Sequence, residues 1–453
     1  MYVIVGSGPS GLTLAYLLGR SGKQCVVIDR ENSIGGCHRV LRVDGLFTEH
    51  SPRVYLSSYL NFAWLLKEMG IQSIFSPTRT SIVFLLYSVI SRLRLIEVVY
   101  LGLTFFLFLL NPGFGKKTSV ADWCCHFSES SRDVLDRFCR FTDGAGSDRY
   151  SVYKLLQLAN QNLFYHTLQP KLPNDVGLFS HMKSVIESTG NVSFLLGRSV
   201  ERVLYSGGHV VGVIADGETI LCQKLLLCVP PVSLNRIFQN SGIVYPSLHS
   251  IVERCTYDTY LSATFHYNAV EFPWRWGFPL SDWGLISIPL SKYMTDSSKV
   301  FSVTCMYLNR KSSVIGKTIN EMENTEEILE EMFRQLKQTY PELPTPMRMI
   351  LSPTAYREGG VWKERDSAYI HTVEGDYMES PVPGIGGVYQ IGTQNGKSGF
   401  AYTTLESAVT NSIAWYNKEE RGEIQIKSSV SVYAFVWLIV IVYFFWRVLR
   451  TRR

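Results

Sequence analysis

The 453-residue sequence predicts an α/β protein that ends in a transmembrane helix. Two regions of the chain indicate this fold class. Near the start, an apolar run at residues 2–5 leads into a glycine-rich turn and a segment with helical spacing, and a second apolar run ends at Asp29. At the other end, residues 428–446 carry no charge. At about 1.5 Å per residue, such a helix would cross most of a hydrocarbon layer roughly 30 Å thick.

Composition excludes several classes of function. Charged residues make up 18% of the chain, against roughly 25% in an ordinary soluble domain. Five of the 44 Lys and Arg residues lie within residues 427–453, which contain no acid, and this leaves 39 to balance the 39 Asp and Glu residues. We expect no nucleic-acid binding from a body without excess positive charge. The nine cysteines are scattered, and the cluster at residues 124–126 lacks zinc-site spacing, so we expect no metal.

The first glycine turn has the spacing of a dinucleotide-binding motif. Gly6, Gly8 and Gly11 lie between the first strand and the first helix, and Asp29 is the acid expected about 20 residues later. The first glycine permits a tight turn, the second lets main-chain amides approach a diphosphate, and the third lets the helix pack on the strand. The helix start would bind the phosphates, and Asp29 would accept hydrogen bonds from ribose hydroxyls. The motif predicts a Rossmann-like domain without distinguishing NAD from FAD.

A second glycine pair, Gly35 and Gly36, follows the strand that ends at Asp29. With this pair the sequence resembles the flavin amine oxidase superfamily, which includes monoamine oxidases, protoporphyrinogen oxidases and phytoene desaturases and, more distantly, UDP-galactopyranose mutase. Three later segments carry the resemblance, at residues 45–53, 200–231 and 387–409. They cover the start, the middle and the end of the body of the chain.

The resemblance implies which residues bind FAD. Besides the glycines and Asp29, it assigns the cofactor to Arg53 beside the flavin ring, to the main chain of Val200 at the adenine, and to a closing motif that contains Gly392, Thr393, Thr404 and Leu405. Phe400 and Tyr402 are candidates to enclose the substrate, although aromatic residues are more often core. No cysteine lies beyond Cys305, so the FAD is expected to be non-covalent.

The closing motif also has a physical signature of its own. Thr403 and Glu406 have the spacing of a capping box, which predicts a helix that starts at Thr403 and runs to Trp415. The start of this helix would lie at the pyrimidine edge of the flavin and would stabilise negative charge on the reduced ring.

Three positions depart from the superfamily pattern. Cys37 stands where many members have arginine, so the diphosphate contact is either taken over by Arg39 or lost. Gln394 replaces a common glutamate, and Ser262 stands at the place of a lysine that faces the flavin in amine oxidases. The absence of this lysine argues against routine amine oxidation and leaves the catalytic residue unknown.

We expect a discontinuous FAD-binding domain and an α+β substrate domain. The predicted boundaries are 1–56, 190–240 and 384–418 for the FAD-binding domain, 57–189 and 241–383 for the substrate domain, 419–427 for a linker, 428–446 for the membrane anchor, and 447–453 for a basic tail. No targeting peptide is visible, so the body is expected to face the cytosol. The apolar region at residues 82–110 is interpreted either as core helix or as a membrane-surface patch or channel wall.

These observations predict a membrane-anchored, FAD-dependent oxidoreductase that oxidises an apolar or amphipathic small molecule by hydride transfer to flavin. Two alternatives stay open. One is a binding protein on the same fold, similar to the Rab escort and GDP-dissociation-inhibitor proteins, and the other is a non-redox enzyme similar to UDP-galactopyranose mutase. The intact glycines and Asp29 favour retained nucleotide binding. The sequence does not indicate an oligomeric state.

Overall fold

A computed structural model describes residues 1–51, 53–254, 259–268, 276–277, 280–365, 377–396, 398, 400 and 403–451. The α-helices within these residues are α1 Pro9–Arg20, α2 Leu60–Glu68, α3 Ile82–Ile90, α4 Leu95–Leu110, α5 Val120–Trp123, α6 Glu129–Asp143, α7 Val152–Asn162, α8 Ser180–Glu187, α9 Pro231–Asn240, α10 Pro246–Arg254, α11 Thr325–Thr339, α12 Leu405–Glu419 and α13 Val432–Thr451. Short 3₁₀ turns occur at Gly36–His38, Ile319–Glu321 and Thr393–Asn395, and a π-turn occurs at Asp175–Phe179.

The strands of the same residues are β1 Tyr2–Val5, β2 Cys25–Asp29, β3 Leu41–Val43, β4 Leu46–Thr48, β5 Tyr55–Leu56, β6 Phe75–Ser81, β7 His166–Pro170, β8 Val192–Leu196, β9 Val200–Ser206, β10 His209–Ala215, β11 Glu218–Leu221, β12 Lys224–Leu227, β13 Leu261–His266, β14 Leu285–Pro289, β15 Val300–Cys305, β16 Arg348–Leu351, β17 Ala355–Glu358, β18 Val361–Glu364 and β19 Val388–Gln390.

A parallel five-stranded sheet positions the predicted nucleotide site. Its order is β19-β12-β1-β2-β8, so its strands come from three separate parts of the chain. The run of Val3, Ile4 and Val5 is at most 5% exposed, because a parallel sheet is covered on both faces. The α/β fold with a Rossmann-like start is therefore the observed architecture.

Other sheets surround this core. The strands β14-β15-β13-β16 form an antiparallel sheet against which α11 packs, and β11-β10-β9 form a smaller antiparallel sheet next to the parallel one. The segment at residues 82–110 forms α3 and α4, which are buried on one side only. Leu85 and Phe108 are at most 4% exposed, whereas Leu95 and Ile96 are 81% and 72% exposed.

The predicted transmembrane helix and the membrane location inferred from it are wrong. Among the described residues, none of the helices combines the length and the apolar character needed to cross a membrane. α13 begins at Val432 rather than at residue 428, because the preceding chain is bound to the body, with Val430 N donating to Tyr165 Oη at 2.8 Å. The uncharged part of α13 ends before Arg447 and measures roughly 22 Å, against a hydrocarbon layer of about 30 Å.

Candidate functional site

Steric contacts explain two of the glycines in the first turn. Gly6 follows β1 with a φ of +101°, and a Cβ at this position would lie 2.5 Å from the carbonyl oxygen of Cys228. A Cβ on Gly11 would collide with the carbonyl oxygen of Gly6. Side chains at these two positions would therefore push α1 away from β1 and from the chain that follows β12.

The second glycine pair lies directly against the first turn. The amide of Gly35 donates to the carbonyl oxygen of Ser7 at 2.9 Å. Gly36 has a φ of +57°, and a Cβ on it would lie 2.9 Å from the Cα of Gly8. We call residues 6–11 and 35–36 the glycine cradle, because two turns of bare main chain face each other there.

The start of α1 lies within the glycine cradle. Gly8 is the N-cap residue, no side chain caps the helix, and its first turn contains no acid. The N–H groups of a first helical turn have no partner within the helix, and the helix dipole adds a partial positive charge. The residues present therefore fit an anionic diphosphate, since glycine main chain without side chains allows a close approach to the helix start, and a Cβ on Gly36 would not fit against Gly8.

Asp29 ends β2 beside the glycine cradle. Its Oδ2 accepts hydrogen bonds from the amide and the hydroxyl of Ser7, each at 2.6 Å, and its Oδ1 accepts from the amide of Glu31 at 2.9 Å. A carboxylate has about four acceptor positions, so three internal bonds still leave capacity for a ribose hydroxyl. The structure thus fixes Asp29 at the place where the motif predicts a ribose contact.

The segment that contains Val200 runs next to this carboxylate. The amide of Gly197 donates to the carbonyl oxygen of Glu31 at 3.0 Å, and the amide of Arg198 donates to the carbonyl oxygen of Asp29 at 2.9 Å. Val200 then begins β9 and is 6% exposed. The predicted adenine and ribose positions are therefore neighbours in the fold, although they are separated by 171 residues of sequence.

Two arginines lie beside the glycine cradle. Arg39 is 6% exposed and donates through Nη1 to the carbonyl oxygen of Gly36 at 3.0 Å. Arg53 donates to the carbonyl oxygen of Cys37. The structure therefore brings the cation of Arg39 to the second glycine turn, where Cys37 replaces the arginine of the superfamily.

A buried carboxyl that was not among the predicted site residues lies near Arg53. Glu49 is 7% exposed and accepts a hydrogen bond from Ser302 Oγ at 2.7 Å. Burial raises its pKa to about 7, although the Ser302 hydrogen bond and the Arg53 charge act in the opposite direction. Burial and Arg53 also hold the pKa of His50 well below its ordinary value. The signal in the sequence is an acid directly after the short strand Leu46–Thr48, within the segment at residues 45–53 that carries the resemblance.

The closing motif follows the edge strand β19. The amide of Gly392 donates to Asn395 Oδ1 at 2.8 Å, and its carbonyl oxygen accepts from Asn411 Nδ2 at 2.6 Å. Thr393 begins the 3₁₀ turn, and Asn411 belongs to α12. The motif is thus tied to α12 by side chains that point back to its main chain.

The predicted start of α12 is wrong by two residues, and its capping box does not form. The N-cap is Thr404, whose Oγ1 accepts from the amide of Ser407 at 3.0 Å, and the helix begins at Leu405. Glu406 instead accepts hydrogen bonds from the amides of Asn61 and Phe62, each at 2.9 Å. These amides belong to the first turn of α2, so Glu406 caps another helix.

The first turn of α1 contacts α12 at the fourth and the eighth residue of that helix. Ser412 Oγ donates to the carbonyl oxygen of Ser10 at 3.3 Å, and Ser10 Oγ donates to the carbonyl oxygen of Ala408 at 3.5 Å. Leu405 lies three residues before Ala408, which is roughly 5 Å along the helix axis. Two helix starts, each with a partial positive charge, therefore border one region of the molecule.

The structure describes one of the two candidate substrate residues. Phe400 is 9% exposed and packs edge-on against Tyr59, with 5.6 Å between the ring centroids. Tyr402 lies outside the described residues. Ser262 is fully buried within β13, and its Oγ lies 2.6 Å from Oγ1 of Thr304 on β15. The position that the resemblance matches to the flavin-facing lysine thus carries one of a neutral pair of hydroxyls.

A buried ion pair next to the start of α12 was not among the predicted site residues either. Lys154 Nζ lies 2.7 Å from Oδ2 of Asp143, and the two side chains are 2% and 1% exposed. The signal in the sequence is a lysine within the helical, mostly apolar run of α7, where Leu155 and Leu156 follow it.

Comparison with known proteins agrees with this arrangement. Residues 4–69 match the NAD(P)-binding Rossmann-like domain family, which covers the glycine cradle, Asp29 and α2. No curated protein sequence matches the chain.

Solved structures share the fold over nearly the whole chain. An oxidoreductase from Methanosarcina mazei is 14% identical, with a TM-score of 0.65 over 91% of this chain and 99% of its own. Cyclohexylamine oxidase from Brevibacterium oxydans IH-35A is 14% identical, with a TM-score of 0.65 over 93% and 99%. Putrescine oxidase is 15% identical, with a TM-score of 0.66 over 93% and 99%. The predicted resemblance to the flavin amine oxidase superfamily is therefore confirmed at the level of the fold.

Proposed function

We propose that this chain is an oxidoreductase that binds FAD non-covalently and oxidises an apolar or amphipathic small molecule. The observation that carries the proposal is the glycine cradle at the start of α1, with the start of α12 packed beside it. An anionic diphosphate suits the first helix start, and a ring that gains negative charge on reduction suits the second. The oxidases and the oxidoreductase that share this fold support the same class of reaction.

Bound FAD would accept a hydride from the substrate, and the chain would supply binding, orientation and electrostatics. The main chain of Gly8 and Gly36 would hold the diphosphate, Asp29 would hold the ribose, and Val200 would contact the adenine. Thr404 and Leu405, at the start of α12, would stabilise negative charge at the pyrimidine edge of the ring.

One observation argues against an amine substrate, and a second is compatible with an apolar one. The hydroxyl pair of Ser262 and Thr304 replaces the lysine that the superfamily resemblance places beside the flavin. Phe400 and Tyr59 form an aromatic contact in the closing region, and aromatic side chains offer large apolar contact areas.

The proposal is tested by purifying the protein and recording its visible spectrum with and without added FAD. We expect a flavin spectrum, and we expect Asp29→Ala to weaken FAD binding at least about tenfold, since hydrogen bonds to a charged group contribute about 1.5–3 kcal/mol. Asp282→Ala is the matched control, because Asp282 likewise accepts hydrogen bonds from the amide and hydroxyl of one serine, Ser313, both at 2.7 Å. A colourless protein that takes up no FAD would contradict the proposal.

Substrate class is tested separately by anaerobic reduction. FAD-loaded protein is mixed with a panel of amines, porphyrinogens and polyenes, and bleaching of the flavin absorbance is followed. We expect bleaching by an apolar member of the panel, whereas bleaching by simple amines alone would overturn the assigned substrate class and leave the oxidoreductase class intact.

A further inference from the structure

Lys154 and Asp143 form an ion pair that is almost completely buried. Lys154 comes from α7, Asp143 is the last residue of α6, and both side chains are at most 2% exposed. Removing two charges from water costs several kcal/mol per ion, and a buried pair seldom adds net stability compared with an apolar pair of similar size. We therefore looked for an electrostatic effect of this pair on the groups that it contacts.

The second oxygen of Asp143 contacts the start of α12. Asp143 Oδ1 accepts a hydrogen bond from the hydroxyl of Thr403 at 2.9 Å and from its amide at 3.3 Å. Thr403 directly precedes Thr404, the N-cap of α12. The ion pair is therefore attached to the helix start across 260 residues of sequence.

The start of α12, Asp143 and Lys154 bring positive and negative charge together. A helix start carries a partial positive charge of about half an elementary charge, and a lone carboxylate beside it would cancel that potential. Lys154 neutralises Asp143, so the carboxylate is able to hold Thr403 while the helix start keeps its positive potential. Low water access makes each of these charges act over a longer range than it would in solvent.

We propose that the Asp143–Lys154 pair sets the electrostatic potential at the start of α12 and thereby tunes the reduction potential of the flavin bound there. This inference rests on the proposed function. Lys154 is a positioning residue in this scheme, since it acts on the flavin through Asp143 and Thr403.

Opposite single substitutions test the inference in FAD-loaded protein. Lys154→Met leaves the carboxylate uncompensated and is expected to lower the flavin reduction potential, whereas Asp143→Asn leaves the ammonium and is expected to raise it. We expect each change to shift the ratio of oxidised to reduced flavin at least about tenfold, which corresponds to about 30 mV for a two-electron couple. The double variant, which is neutral, is expected to return close to the wild-type potential.

Lys154→Arg separates charge from packing, because it keeps the charge and alters the fit. It is expected to leave the reduction potential unchanged. If a single charge removal prevents folding, Lys154→Arg and the neutral double variant still test the inference, because a shifted potential in either would overturn it. Arg334→Met breaks an ion pair with Glu331, whose side chain is 3% exposed, on the remote helix α11. This control is expected to affect stability without moving the potential.

The outcomes are distinguishable. Shifts of both single variants in the same direction, no shift in either, or a shift with Lys154→Arg equal to that with Lys154→Met would overturn the inference and indicate a purely structural pair. A wild-type protein that takes up no FAD would overturn the proposed function, and the inference would fall with it.

Discussion

The starts of α1 and α12 border the same region but are built in different ways. α1 begins at Gly8 with no side-chain cap and no acid in its first turn. α12 begins after Thr404, whose hydroxyl accepts from the amide of Ser407, and the preceding Thr403 is bound by the buried Asp143. One start consists of bare main chain, and the other is surrounded by side chains with compensating charges.

The two helix starts are suited to different groups. A diphosphate has a fixed negative charge and needs close approach to main-chain donors, so side chains are excluded from the first start. Under the proposed function, the second start faces a flavin ring that changes its charge on reduction, and a cap combined with a neutralised carboxylate suits that demand. The first start should therefore respond to added volume, and the second to lost hydrogen bonds or changed charge.

The largest effect is expected from added volume in the glycine cradle. Gly36→Ala would place a Cβ 2.9 Å from the Cα of Gly8, in a backbone conformation that is itself unfavourable for alanine. We expect FAD affinity to fall about 100-fold, in line with an overpacking cost of about 3 kcal/mol. Titration calorimetry or flavin fluorescence measures the affinity.

Gly22→Ala is the control for this prediction. Gly22 follows α1 with a φ of +76°, and a Cβ there would meet nothing within 4 Å. It should lose folding stability for the same conformational reason and keep its FAD affinity. Equal losses of affinity in the two variants would show that the close approach of Gly8 and Gly36 does not form the diphosphate site.

A smaller effect is expected from the carboxyl beside the glycine cradle. The pKa of Glu49 is about 7 in the folded protein, compared with an ordinary value of 4.5, so the folded state binds a proton more tightly than the unfolded chain does. The free energy of unfolding should therefore fall as pH rises from 4.5 through about 7, by about 3 kcal/mol in total. Glu49→Gln cannot titrate and should lack this fall.

Urea unfolding at pH 5, 6 and 7 measures this pH dependence. Other buried groups also titrate in this range, His50 among them, and the lowered pKa of a histidine acts in the opposite direction. The quantity to compare is therefore the difference between wild type and Glu49→Gln at each pH. A difference that stays constant from pH 5 to 7 would contradict a raised pKa at Glu49.

The smallest effect is expected from the cap of α12. Thr404→Ala removes the acceptor for the amide of Ser407, which should lower the free energy of unfolding by about 1 kcal/mol. Asn324→Ala removes a comparable cap, the bond from the amide of Glu326 at 2.9 Å at the start of α11. Thermal unfolding should show similar losses, while only Thr404→Ala should weaken FAD binding. If both variants keep full affinity, the start of α12 does not contact the flavin.

The glycine turns show how much local sequence determines. Gly11 is required by a contact with Gly6 in the same turn, and the glycine spacing between two apolar runs predicts the strand–turn–helix–strand unit that the structure shows. The Rossmann-like start and the superfamily fold were therefore predictable. Which residues contact the cofactor remains a prediction at each assigned position.

The wrong predictions share a physical cause. Either Thr403 or Thr404 could cap α12 on local sequence alone. Thr404 is the N-cap in the structure because Glu406 binds the amides at the start of α2 and Asp143 binds Thr403. The apolar C-terminal run was expected to span a membrane, yet packing of the preceding chain on the body decides where α13 begins.

The sequence by itself determined the two glycine turns, the acid at Asp29 and a helix in the closing motif, because each follows from residue types and spacing within one short stretch of chain. Only the tertiary structure decided that the start of α1 packs against α12, that Glu406 caps α2, and that Lys154 and Asp143 meet at Thr403. These contacts join residues that are far apart in the chain, and a buried charge reveals its partner only when the packing around it is known.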